Sequence, residues 1–174
     1  MKMASSRRVA QWIRQLDSSY TWTRQRAIVQ LAASGDMQAW EPLLNCLKHS
    51  SHRTRADACG ALVTLGGVLA FEPVAARLHE GDRHVREAAA LALGRLDDPR
   101  AVELLLPLLT DRVHTVRQAA CQALAILGDV RAYEHVVRLL QEGDRRVRAA
   151  ACRTLGHLRR SEEHTSELQS HHPI

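Results

Sequence analysis

Five arginines, Arg24, Arg55, Arg86, Arg117 and Arg148, recur at one constant interval along the chain. A guanidinium offers five donors in a rigid fork, so such a series can clamp an external anion or satisfy acceptors inside the protein. A second set of cations lies two and three positions ahead of these arginines: His52 and Arg53, Arg83 and His84, His114, and Arg145 and Arg146, with Thr21, Trp22 and Thr115 completing the register. Cations at a helix start oppose the macrodipole, so local stability does not account for them. Together with free backbone N–H groups they form an anion-attracting edge. Arg53, Arg83, His84, Arg145 and Arg146 are therefore the candidate partner contacts. The five in-register arginines are expected to form a structural ladder beside a buried stripe, with Asp82 and Asp144 as partners for two of them.

Other reactive side chains point to no chemistry of their own. Cys59, Cys121 and Cys152 share one register with Ile28 and Ala90, which marks them as small core residues. Stacked equivalents would lie about one helix spacing, roughly 8–10 Å, apart and out of disulfide reach. Neither a zinc-ligand spacing nor a disulfide framework is present. No carboxylate is singled out as a catalytic base, so the expectation is a non-enzyme without cofactor or metal.

The elements that position these residues follow from the repeat. Relative to each arginine, the position before reads Thr23, Thr54, Val85, Val116, Val147. Three after reads Ala27, Ala58, Ala89, Ala120, Ala151, and seven after reads Leu31, Leu62, Leu93, Leu124, Leu155. That spacing is the buried stripe of an amphipathic helix. A second stripe ends at Leu47, Leu78, Leu109 and Leu140, so each unit holds two helices. Asp36, Asp98 and Asp129 are placed to cap one helix of each pair, and Asp82 and Asp144 the other. Gly35 and Gly128 fit a left-handed helix end, and Pro99 fits a first helical position. Pro42, Pro73 and Pro107 fall within predicted helices and are expected to bend them. Trp12, Ile13 and Leu16 lie one full repeat before Leu43, Leu44 and Leu47, which places a first helix over Ser6 to Leu16. The chain thus reads as five helical hairpins, approximately 5–34, 36–66, 68–96, 98–127 and 129–158.

The run from Arg160 to Ser170, RSEEHTSELQS, resembles a translated sequencing adapter. Residues 160–174 therefore read as a non-native tail, with the natural C-terminus lost, and residues 1–159 as the folded domain. An uncapped repeat end bares core, so Leu158 is expected to be exposed. Setting aside Arg160, Glu162, Glu163 and Glu167 leaves 23 basic against 16 acidic side chains, net +7 instead of +5. No unbroken apolar run approaches the roughly 20 residues of a membrane span, and the first residues lack a signal peptide's apolar segment. The expected location is cytoplasmic, away from membranes.

The run DRHVREAAALALGRLDDPRAVELLLPLLTD, residues 82–111, resembles the bacterial HEAT-like repeats, including those named after phycobilisome lyase subunits and those of artificial helical-repeat scaffolds. The resemblance covers residues 5–159 and is fullest in units three to five. It implies an all-α, right-handed alpha solenoid whose arginine-bearing helices line the concave side, and no single activity. One HEAT-like hydroxylase family holds iron through repeated His-Glu pairs. Here His79-Glu80 is matched only by Lys48-His49, Thr110-Asp111 and Gln141-Glu142, so that site is not expected. The reading is a protein-binding scaffold whose partner is another protein, with an acidic segment suited to the cations. A nucleic-acid-binding or glycosylase-like solenoid is the weaker alternative, because the few aromatics cluster in unit one instead of forming a base-stacking surface. A phycobilin-lyase-type chaperone subunit is the third.

Overall fold

The computed structural model describes the backbone of residues 2–170 and the side chains of residues 7–160. Among these every regular element is a helix, and the chain divides into two compact units, Met1–Ala92 and Leu93–Ile174. The first unit contains α1 (Lys2–Gln15), α2 (Thr21–Ser34), α3 (Trp40–Cys46), α4 (His52–Gly66) and α5 (Phe71–Ala75). Helix α6 (Arg83–Arg95) spans the boundary. The second unit contains α7 (Arg100–Leu105), α8 (His114–Leu127), α9 (Tyr133–Arg138) and α10 (Arg145–Ser170). The even-numbered helices carry the arginine ladder and, with α1, are the long members.

From α3 onward, the odd-numbered members are composite. Short 3-10 turns at Met37–Ala39, Gly67–Ala70 and Val130–Ala132 precede α3, α5 and α9, and others at Ala76–His79, Leu106–Thr110 and Leu139–Gln141 follow α5, α7 and α9. The prolines account for part of this, and they break the helix type where the sequence suggested a bend. Pro42 and Pro73 each stand third in their α-segment, within the first turn, where no N–H is needed. Pro107 lies just past the point where α7 tightens into a 3-10 turn. Helix α1 begins ahead of the expected Ser6, at Lys2, because Lys2, Met3 and Ala4 are good helix formers.

The core follows the predicted stripes. Ala27, Ala58, Ala89, Ala120 and Ala151 are fully buried, as are Leu31, Leu62, Leu93 and Leu124. Their small side chains let helices approach closely: a Cβ added at Gly94 would lie 2.8 Å from the Cβ of Ala123. The second stripe holds at Leu47, Leu78 and Leu109 but not at Leu140, which is 37 % exposed, Leu139 being buried in its stead. Leu158, expected to be bare, is completely buried.

One stretch, His52–His79, has the length and mean hydropathy, 1.6, of a membrane span. It is not a single helix. Helix α4 ends at Gly66, and Gly67 turns the chain at φ 52° into a separate 3-10 and α-segment.

Helix ends use the expected devices with one exception. Asp36, Asp98 and Asp129 each accept a hydrogen bond from the backbone N–H two residues on, at 2.9–3.0 Å. Gly35 and Gly128 close α2 and α8 in the left-handed region, at φ 64° and 62°. The same register position is Asp97, and it takes φ 53°. A non-glycine residue there is strained by its Cβ. Asp97→Gly should therefore stabilise the protein by about 1 kcal/mol and raise the melting temperature by about 2–4 °C, read by calorimetry. An unchanged or lower melting temperature contradicts this account of the turn.

Candidate functional site

The ladder arginines share one geometry. Each Nη1 donates to the backbone carbonyl six residues upstream, in the turn before its own helix: Arg24 to Ser18, Arg55 to His49 at 2.8 Å, Arg86 to Glu80 at 2.8 Å, Arg117 to Asp111 at 2.6 Å and Arg148 to Glu142 at 2.7 Å. Arg55, Arg86 and Arg148 also reach the next carbonyl, of Ser50, Gly81 and Gly143. These carbonyls end the preceding helix or follow it, where no intrahelical donor remains. A charged donor on the next helix satisfies them and fixes the hairpin turn.

The same arginines also reach one repeat onward. Arg55 pairs with the Glu80 carboxylate and Arg117 with that of Glu142, each at 3.4 Å. Glu80 and Glu142 therefore serve two ladder arginines each, the carbonyl taking the one that follows and the carboxylate the one that precedes. Arg24 donates instead to the hydroxyls of Thr54 and Thr21, both at 3.1 Å. Asp82 and Asp144, expected as ladder partners, are helix caps: they accept from the backbone N–H of His84 at 2.8 Å and Arg146 at 2.7 Å. Their distance from the ladder follows from chain direction, since a capping carboxylate turns back over its own helix start. The Arg146 backbone N–H holds the Asp144 carboxyl below the usual range. Asp82 is also held low, its desolvation outweighed by the His84 N–H and the nearby His52.

The partner-contact candidates fall into two groups. In the first unit, the rings of His52 and His84 stack with centroids 5.6 Å apart, and Arg83 Nε reaches His84 Nε2 at 3.4 Å. His52 also lies 3.8 Å from Asp82. Arg53 is partly neutralised by Asp57, one helical turn on at 3.6 Å. In the second unit, Arg145 and Arg146 line a hollow of about 440 Å³ with Gln118, Ala149 and Arg153. Arg153 also lines a neighbouring depression of about 530 Å³ between α8 and α10, with Gln122, Ala125, Ile126, Ala150, Thr154 and His157. The two hollows thus meet at Arg153. Arg145, Arg146 and Arg153 form no ion pair among the described residues, and Ile126 leaves an apolar side chain 53 % exposed beside them. Thr154 closes the floor by donating to the carbonyls of Cys121 at 2.9 Å and Ala150 at 3.0 Å. Ile126, Thr154 and His157 escape sequence reasoning, because their convergence depends on how two helices in successive repeats are spaced. An exposed isoleucine off the buried stripe was the one signal available.

Three thiols are buried, and the glutamate of the His-Glu pair is held by arginines. Burial pushes Cys59 up to about 12 and Cys46 and Cys121 to about 11, so these groups stay protonated at neutral pH. The Glu80 carboxylate faces Arg55 and Arg77, both at 3.4 Å. Among the described residues no three His, Cys, Asp or Glu side chains gather as metal ligands.

The sequence pattern of the family described as HEAT repeats matches residues 9–84 and 71–156. This chain belongs to the HEAT-repeat family. Comparison with the curated proteins gives no match. Among solved structures, the complex of CpcE and CpcF of phycocyanin lyase from Nostoc sp. is 26 % identical with a TM-score of 0.73. The alignment covers 87 % of this chain and 65 % of that one, so the chain spans less than two thirds of its relative. A designed armadillo repeat protein in complex with the peptide (KR)4 is 16 % identical, TM-score 0.62, covering 90 % and 84 %. Human deoxyhypusine hydroxylase in complex with glycerol is 19 % identical, TM-score 0.59, covering 89 % and 75 %. The last two show the fold alone, and the fold class is an all-α helical-repeat solenoid.

The two kinds of arginine separate by mutation. Arg117→Ala removes a carbonyl partner and a carboxylate partner and should cost about 2 kcal/mol. Arg146→Ala, whose side chain is exposed, should change stability by less than about 0.5 kcal/mol. Chemical denaturation of both variants measures this, and the reverse order would give the rim the structural role.

Proposed function

We propose that this HEAT-repeat protein is a non-enzymatic scaffold that binds another protein through its arginine-bearing helices, taking an acidic segment with an apolar anchor. The groove between α8 and α10 carries this reading: two hollows joined at Arg153 present the unpaired guanidinium groups of Arg145, Arg146 and Arg153 beside exposed Ile126. Carboxylates of a bound segment would meet fixed donors in bidentate geometry, while a leucine or similar side chain covers Ile126. Charge brings the segment in and sets its direction, and the apolar contact holds it. In the first unit, Arg53, Arg83 and His84 add contacts of the same sign. Nothing in this role calls for a cofactor, and it suits a cytoplasmic protein.

A second reading, as one subunit of a phycobilin lyase, is supported by the similarity to the CpcE–CpcF complex. Nucleic-acid binding has only the basic charge in its favour.

One experiment separates the three. A fluorescein-labelled acidic peptide with two central leucines should bind the full chain saturably, and Arg145→Glu with Arg146→Glu and Arg153→Glu should weaken it by about tenfold or more. Ile126→Ser should weaken it without altering its salt dependence. Tighter binding of a DNA duplex would replace the proposal with the nucleic-acid reading. Failure of the peptide, together with covalent bilin attachment to an apo-phycobiliprotein in the presence of a lyase partner subunit, would replace it with the lyase one.

A further inference from the structure

One turn in the first unit departs from the pattern that the others keep. Asp36, Asp98 and Asp129 open three interhelical turns, and Gln38, Arg100 and Arg131 stand two residues on. In the turn between α4 and α5 the same places hold Gly67 and Leu69. No side chain caps the 3-10 turn Gly67–Ala70, and Val68 and Leu69 are 62 % and 65 % exposed. Met37, one repeat before Val68, is 48 % exposed. The half-buried Trp40 ring of α3 reaches this turn, since a Cβ at Gly66 would collide with it. Met37, Trp40, Val68 and Leu69 thus form an apolar patch inside the first unit, with repeats of this chain both before and after it in sequence.

What the missing arginine does is visible in the second unit. Arg131 Nη1 donates to Glu103 Oε1 at 2.9 Å, and its Nη2 donates to the Pro99 carbonyl at 3.3 Å, both one repeat earlier. Leu69 occupies that arginine's register, and the matching acceptors are the Glu41 carboxylate and the Met37 carbonyl. Glu41 is exposed and forms no ion pair among the described residues. The patch therefore joins aliphatic side chains to a carboxylate placed where the fold elsewhere holds a guanidinium. Two exposed aliphatic residues in a turn without a cap add nothing to helix stability, and the carboxylate beside them favours a cationic partner over an anionic surface.

We propose that this patch docks a segment of a partner protein that bears an arginine beside an aliphatic residue. The guanidinium takes the position that Arg131 holds against Glu103, donating to Glu41 and to the Met37 carbonyl beside the Trp40 ring, and the aliphatic residue covers Val68 and Leu69. Two acceptors in different directions select the forked guanidinium over an ammonium. The site is distinct from the α8–α10 groove, takes the opposite charge, and does not depend on what fills that groove.

The probe is a short peptide with one central arginine between two leucines, the remaining residues being glycine and serine. Added to the full chain, it should shift the NMR signals of the Trp40 indole N–H and of the backbone amides of residues 66–69 in a saturable way. Glu41→Gln in the chain, or glutamine for the arginine in the peptide, should each weaken binding by about tenfold, and both together little more, as expected of two partners in one contact. Leu69→Arg supplies the guanidinium internally and should abolish binding with no fall in the melting temperature. Equal affinity of the Leu69→Arg chain, or of the glutamine peptide, would overturn the proposal, and so would shifts confined to other residues. Binding to neutral phosphatidylcholine vesicles through Val68 and Leu69, with no response to the peptide, would make the patch a membrane contact instead. Self-association that Leu69→Arg abolishes and the peptide leaves unchanged would assign it to a second copy of the chain.

Discussion

A helical hairpin leaves carbonyls at the end of its first helix with no donor above them, and stacking hairpins removes the water that would otherwise serve. The arginine that follows each of these carbonyls, on the second helix, resolves that constraint. Its stem runs along the buried stripe, and its head returns to the turn. A lysine would offer a single ammonium where this geometry uses two directions at once, toward the turn carbonyls and toward a carboxylate one repeat onward. Alongside it, the small residues of the stripe let the ladder helices of successive repeats pack closely, as Gly94 of α6 and Ala123 of α8 do.

With the turn acceptors satisfied internally, the residues flanking the ladder are free for other uses. Asp82 and Asp144 cap their helices, and the exposed arginines two and three positions before the ladder are left without internal partners or, like Arg53, with weak ones. Charge thus has two roles in one short stretch of each repeat. Arginines on the buried stripe hold hairpins together, and those one turn earlier face solvent with their charge available. Basic balance alone does not distinguish these roles; burial and hydrogen-bond partners do.

Much of the fold was legible because a constant period repeats both the helical stripe and its stops. Arginine, alanine and leucine in fixed register identify the buried face of five helices, and Gly35, Gly128 and the capping aspartates mark where they end. The ladder's partners were not legible. Asp82 and Asp144 are close in sequence but turn toward their own helix starts, whereas Glu80 and Glu142 reach the preceding arginine only through the path of the interhelical turn. Pro42, Pro73 and Pro107 signalled a disturbance without indicating 3-10 turns, which depend on how the first helices tighten against the second. The groove was half legible: Arg145 and Arg146 stood out by charge, but their junction with Arg153, Ile126 and His157 is a property of spacing between helices.

The central claim is that a ladder arginine binds its own turn and the next repeat at once, and a double-mutant cycle on Arg117 and Glu142 tests it most directly. Stabilities of the wild type, Arg117→Ala, Glu142→Ala and the double variant, from urea denaturation, yield the coupling between the two side chains. The staple predicts a favourable coupling of about 1 kcal/mol, the magnitude expected for a half-buried pair in direct contact. Additivity within about 0.3 kcal/mol would contradict it and leave the arginine as a turn-capping residue alone.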